Sequence, residues 1–146
     1  MEIQYSKSEE ETLQIGEKIG RKLHPPQVIL LYGELGSGKT VLVRGLVQGL
    51  GVKDPTLVHS PSFTLVNEYA GKESTIYHID FYRLEGPRDH FSIGLEEILA
   101  TPSIVIIEWA EKLLLELENP LKIRIGPNTD PNSRRLEIEG DEGGGD

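Results

Sequence analysis

Gly33-Glu34-Leu35-Gly36-Ser37-Gly38-Lys39-Thr40 is the stretch on which the fold turns. It satisfies G-x-x-x-x-G-K-[ST] at every fixed position, the pattern of a phosphate-binding P-loop. The residue types follow from the chemistry. Glycines let the backbone turn so that successive N–H groups, from Glu34 through Leu35, Gly36, Ser37, Gly38 and Lys39 to Thr40, converge on phosphate oxygens. A helix beginning at the end of the loop adds its partial positive charge. Lys39 supplies a mobile point charge for the β- and γ-phosphates, and the Thr40 hydroxyl is placed to ligate Mg²⁺.

The flanks agree with that reading. Upstream, VILLY (Val28 to Tyr32) is continuously apolar, as suits a strand covered on both faces. Downstream, a helix is predicted from Lys39 to Leu50, stopped by Gly51. Before the strand, MEIQY reads as a first strand. Ser8 and Glu11 form a capping box for a helix with apolar positions at Leu13, Ile15, Ile19 and Leu23, ended by Pro25 and Pro26. After the loop helix, FTLVNEYA and STIYHIDFYRL read as neighbouring antiparallel strands joined by a tight GKE turn. GLEEILA is a short amphipathic helix, SIVIIEW a second buried strand, and AEKLLLEL the helix after it. LKIRI and RRLEIEG pair around GPNTDPNS.

Strands alternating with helices, with a hairpin midway, predict a three-layer α/β domain of P-loop NTPase type, its sheet mainly parallel with antiparallel additions. The 146 residues suit one core, so residues 1–139 are read as a single domain and 140–146 (GDEGGGD) as a disordered acidic tail. No apolar run reaches the eighteen or so residues that cross a bilayer, which argues against a membrane partner. The start lacks the basic and apolar regions of a signal peptide and cysteine is absent, so a cytoplasmic location is expected. A net charge of −9 makes direct nucleic-acid binding an unfavourable reading. His24, His59, His78 and His90 show no ligand spacing and are read as ordinary surface or core residues.

In such sheets ligands bind beyond the carboxyl ends of the strands. Two acids emerge there from apolar runs, Asp80 at the end of TIYHID and Glu108 at the end of SIVIIE. Either can hold a metal or orient water, as P-loop chemistry requires of a carboxylate. Trp109 follows at the lip of the site, and Arg83 can pair with a carboxylate or a phosphate. HSPSFTLVNEY (His59 to Tyr69) offers the hydroxyls of Ser60, Ser62 and Thr64, with Pro61 stiffening the approach, as a switch segment over the γ-phosphate. A guanine reader would need N-K-x-D; Asn128-Thr129-Asp130 lacks the lysine and the spacing, so ATP is favoured. An ATPase, a small-molecule P-loop kinase and a nucleotide-gated binding module with little turnover all remain open on the motif alone.

GELGSGKT, SPSFTLVNEY, HIDFYRL, IGLEE and IIEWAEK, in that order, resemble the TsaE (YjeE) family of bacterial ATPases from about Ser8 to Ile125. The resemblance implies the ATP-hydrolysing subunit of the machinery that forms N6-threonylcarbamoyladenosine in tRNA. Its partners would be a TsaD-type transferase and a TsaB-type protein, with tRNA met only through that complex. By the same resemblance Lys39 and Thr40 match the phosphate lysine and the magnesium threonine. Glu108 matches the magnesium carboxylate, Asp80 a catalytic acid that organises water, and Trp109 a residue needed for activity. Nucleotide contacts are implied near Thr12 and at a late arginine, Arg134 or Arg135, of which Arg135 is taken as the contact. Ser62 stands where the family usually has threonine, and Glu118-Asn119-Pro120 replaces a common Leu-Pro, leaving the register of the last strands open.

Overall fold

The computed structural model describes residues 1–34, 36–54, 66–81, 94–109, 117 and 119–140. Its centre is β2 (Gln27–Tyr32), the VILLY strand, hydrogen-bonded in parallel to β5 (Ile104–Glu108) on one side and β6 (Leu121–Pro127) on the other. β4 (Thr75–Asp80) runs parallel to β5 beyond it. Antiparallel strands flank these four: β3 (Val66–Ala70) beside β4, and β7 (Arg134–Glu139) then β1 (Glu2–Ser6) beside β6. The order is β1-β7-β6-β2-β5-β4-β3. The predicted α/β class, with its mainly parallel centre and antiparallel additions, is the fold observed. The open register at the end of the chain resolves as Ile125 opposite Leu136.

Both faces of the centre are covered, which is why its strands read as unbroken apolar runs. On one face Ile29, Leu31, Ile106, Ile123 and Leu136 pack beneath α1 (Glu9–Lys22) and α2 (Lys39–Gly49). On the other, Leu30, Ile79, Phe81 and Ile107 meet Leu95, Ile98 and Leu99 of the short α3 (Leu95–Leu99), together with Leu117. Full burial of one such Ile or Leu contributes about 1.5–3 kcal/mol. Outward-facing Lys122 and Arg124 on β6 stand opposite Glu139 and Glu137 on β7, so unlike charges pair across the ladder. Among the described residues no helix is long and apolar enough to cross a membrane.

The helix termini follow their sequence signals. Ser8 caps α1 by accepting from Glu11 N at 3.1 Å, while the Glu11 carboxylate accepts from Lys7 N at 3.1 Å, one residue earlier than in a standard capping box. At the end of α2, Gly51 takes a left-handed φ of 94°. Its N–H reaches Gln48 O at 3.1 Å and Val52 N reaches Val47 O at 3.0 Å, a Schellman closure. The expected helix over AEKLLLEL falls at residues 110–117, of which 110–116 lie outside the described residues. The tail at 141–146 lies outside them as well.

One packing feature escapes hydrophobic periodicity. Ile19 and Leu23 are buried as the period expects while Leu13 and Ile15 are only partly buried, and the closest contact of α1 with α2 runs through Gly16 and Gly20. A β-carbon on Gly16 would stand 2.6 Å from Leu42 O; on Gly20, Gly45 or Gly49 it would run into the backbone oxygens of Leu46, Leu13 or Glu17. Glycine on both helices therefore sets their close approach, and that approach brings the start of α1 beside the P-loop. Gly20→Val should lower stability by at least about 1–3 kcal/mol, the cost of overpacking, as measured by urea unfolding.

Candidate functional site

The loop between β2 and α2 folds as its glycines require. Gly36 has φ 79° and Gly38 has φ 105°, left-handed values that glycine adopts without penalty. Ser37 N closes a turn on Glu34 O at 3.1 Å, and Gly38 O accepts from Leu42 N at 3.0 Å to begin α2. No side chain caps that helix and its first turn carries no acid, so the amides at its start face the cleft available to an anion.

Lys39 is buried, with Nζ 4.0 Å from the centre of the Trp109 ring. That contact holds the ammonium over an aromatic face at the mouth of the cleft. Trp109 itself has φ 58°, an uncommon value for a large side chain, directly where β5 ends. Asp80 and Glu108 are register partners on β4 and β5, each only 3% exposed. Glu108 Oε2 accepts a hydrogen bond from Nε2 of His78, two residues before Asp80 on the same face of β4. Lys39, Thr40, Asp80, Glu108, Trp109 and the loop line a cleft of about 660 Å³, a size suited to a nucleotide, with His78 behind it.

The opposite wall comes from the start of α1 and from the β6–β7 turn. Thr12 lines it; its hydroxyl lies 2.6 Å from Ser6 Oγ and 3.2 Å from Ser8 O, which fixes it into the helix start. Lys7 and Asn132 line the same wall. Ser133 folds the turn, its N–H and Oγ both reaching Asp130 O at 3.0 and 2.9 Å. Arg134 then projects under the P-loop, with Nε donating to Ser37 O at 2.9 Å, one terminal nitrogen to Gly36 O at 3.4 Å and the other to Pro131 O at 2.8 Å. These bonds hold the carbonyls of Gly36 and Ser37 outward.

Lys39, Thr40, Glu34, Gly36, Gly38, Asp80, Glu108, Trp109 and Thr12 are thus brought to one cleft, as expected, and Ser37 belongs to its loop. Arg135 is not. Alternation along β7 sends Arg134, Leu136 and Ile138 to the helix-covered face. Arg135 is turned to the other face, exposed, with a terminal nitrogen 3.9 Å from Glu137. Arg134 therefore replaces it as the late arginine of the site. His78 was read as an ordinary residue. The signal that finds it is its i, i+2 spacing to Asp80 in an otherwise apolar strand, which puts both polar groups on one face. Leu35, Ser60, Ser62, Thr64 and Arg83 lie outside the described residues.

A cradle of amides with one lysine suits a phosphate chain. Carboxylates facing that same cleft would repel the chain unless a cation stood between them. Thr40 and Glu108 offer hard oxygen donors, and among the described residues no group of three or more His, Cys, Asp or Glu could hold a metal alone. A small divalent cation that keeps waters and shares phosphate oxygens fits such a sparse donor set.

The chain resembles proteins of known family and known structure. Residues 6–136 match the family model described as "Threonylcarbamoyl adenosine biosynthesis protein TsaE". The chain is 41% identical over 133 residues to the tRNA threonylcarbamoyladenosine biosynthesis protein TsaE of Nostoc sp., covering 88% of this chain and 80% of that one. With the Aquifex aeolicus protein of the same name it shares 40% over 127 residues, 81% and 90% of the two chains. The crystal structure of YdiB from Bacillus subtilis superposes with a TM-score of 0.74 at 29% identity, covering 94% of this chain and 83% of that one.

The two neighbouring arginines separate cleanly by experiment. Arg134→Met should weaken ADP binding about tenfold or more by freeing the loop carbonyls, whereas Arg135→Met should change it by no more than about twofold. Quenching of Trp109, the single tryptophan, reports the titration.

Proposed function

The chain belongs to the TsaE family of threonylcarbamoyl adenosine biosynthesis proteins, and on that basis we propose that it is the ATP-hydrolysing subunit of the machinery that forms N6-threonylcarbamoyladenosine in tRNA. The observation that carries the reading is the row of Asp80 and Glu108, level with each other at the strand ends and facing the start of α2 across one cleft. Residues 1–139 act as one ATPase domain in the cytoplasm. A TsaD-type transferase and a TsaB-type protein are its partners, and they carry the tRNA contact that a chain of net charge −9 disfavours.

In this reading the amides from Glu34 to Thr40 hold the phosphates of ATP, and Lys39 neutralises charge that develops on the γ-phosphoryl oxygens. Thr40 and Glu108 are the residues that would hold Mg²⁺, which when bound offsets phosphate charge. Asp80 orients the attacking water, and Arg134 keeps the loop amides aimed inward. Ser60, Ser62 and Thr64 of the segment before β3 complete the site over the γ-phosphate, with Arg83 and Trp109 as accessory groups. Turnover is slow until partner binding orders the site. The alternative of a small-molecule kinase loses ground because Arg134, the arginine lining the cleft among the described residues, is committed to backbone carbonyls rather than to a lid.

Lys39→Ala should lower ATP hydrolysis by about 100-fold or more, the scale for removing one transition-state charge partner. Added to purified TsaD- and TsaB-type proteins, unmodified tRNA and the threonylcarbamoyl donor, the wild-type chain should sustain product over many turnovers and the Lys39→Ala chain should not. Equal product with both chains would refute the role in tRNA modification, and ATP hydrolysis unchanged in the Lys39→Ala chain would refute the ATPase assignment.

A further inference from the structure

His78 has no part in the chemistry above, yet it is a polar side chain beside the cleft with no exposed surface. An imidazole in that position is costly unless it is hydrogen-bonded. Its neighbours on the same face, Ile76 and Ile106, are apolar and fully buried, so an aliphatic residue would fill the place at lower desolvation cost. What histidine adds is the bond from Nε2 to Glu108 Oε2.

The geometry is set by the sheet. β4 and β5 are parallel with His78 opposite Ile106 and Asp80 opposite Glu108, so His78 lies diagonally behind the carboxylate, on the side away from the cleft mouth. The Tyr69 ring, with its centroid 6.5 Å from that of the imidazole, packs on the side of β3. Nδ1 is buried without a hydrogen-bond partner among the described residues. A proton there would be an orphaned buried donor, so the tautomer is the one with hydrogen on Nε2, aimed at Glu108. The Nε2–H bond orients the carboxylate. One oxygen is thereby tied back and the other is turned to the cleft.

We infer that His78 is a positioning residue that fixes the Glu108 carboxylate for a divalent cation, acting through the Nε2–H bond. The inference rests on the reading of Glu108 as a metal ligand. Such outer partners change metal affinity by about 10–100-fold when removed.

Mn²⁺ serves as the probe, its free concentration read by electron paramagnetic resonance during titration of the full chain loaded with a non-hydrolysable ATP analogue. His78→Leu should weaken Mn²⁺ binding about 10–100-fold. His78→Gln, whose amide nitrogen reaches the place of Nε2, should stay within about threefold of wild type, while His78→Asn, which is too short, should fall with the leucine variant. Binding of the analogue in EDTA should be unchanged in all three, which a merely structural role would not predict. Glu108→Gln keeps the two assignments apart. If Glu108→Gln loses Mn²⁺ and His78→Leu does not, the inference is overturned and the metal assignment stands. If Glu108→Gln binds Mn²⁺ as wild type does, both are overturned. Should His78→Leu fail to fold, the glutamine and asparagine variants decide, and equal Mn²⁺ affinity in those two rejects the role of Nε2.

Discussion

Leu31, Glu108 and Asp80 stand abreast because β2, β5 and β4 run parallel in one register. Everything chemical in the molecule depends on that row. A one-residue slip of β5 would turn Glu108 to the opposite face and away from His78. The register is enforced by burial on both sides, since Ile104, Ile106 and the Glu108 side chain face the helices while Val105 and Ile107 face the second layer. A slip would exchange these two sets, and the Glu108 carboxylate would then enter an apolar cluster without its partner.

The second constraint is backbone proximity. Glycines at four contact positions let α1 lie against α2, so Thr12 and the start of α1 form one wall of the cleft that α2 opens. The β6–β7 turn supplies the other support through Arg134, whose guanidinium binds carbonyls of the P-loop and of its own turn at once. The loop therefore draws its shape from glycine conformations, helix packing and a cross-sheet clamp. A preorganised cradle of this kind needs little rearrangement to receive phosphate.

Much of this was legible in the chain itself. The P-loop is a local motif with a local mechanism, the central strands announce themselves as unbroken apolar runs, and Asp80 and Glu108 were placed by the rule for strand ends. The misses share one cause, which is that sequence periodicity reports hydrophobicity rather than contact. Periodicity finds Ile19 and Leu23, which are buried, but Gly16 and Gly20 carry no hydrophobic signal, so the tightest contact of α1 is invisible to it. Arg134 and Arg135 are chemically alike, and only the alternation with Leu136 and Ile138 tells which faces the loop. His78 looked ordinary because its partner lies on a neighbouring strand, thirty positions along the chain.

Where a nucleotide and its cation sit decides the role of the cleft. A crystal structure of the chain with Mn²⁺ and a non-hydrolysable ATP analogue, with anomalous scattering to locate the metal, addresses this directly. The phosphates should lie on the amides that begin α2, with a manganese peak bonded to Thr40 Oγ1 and within the reach of Glu108. Nucleotide bound outside this cleft, or manganese held by a different set of side chains, would contradict this placement.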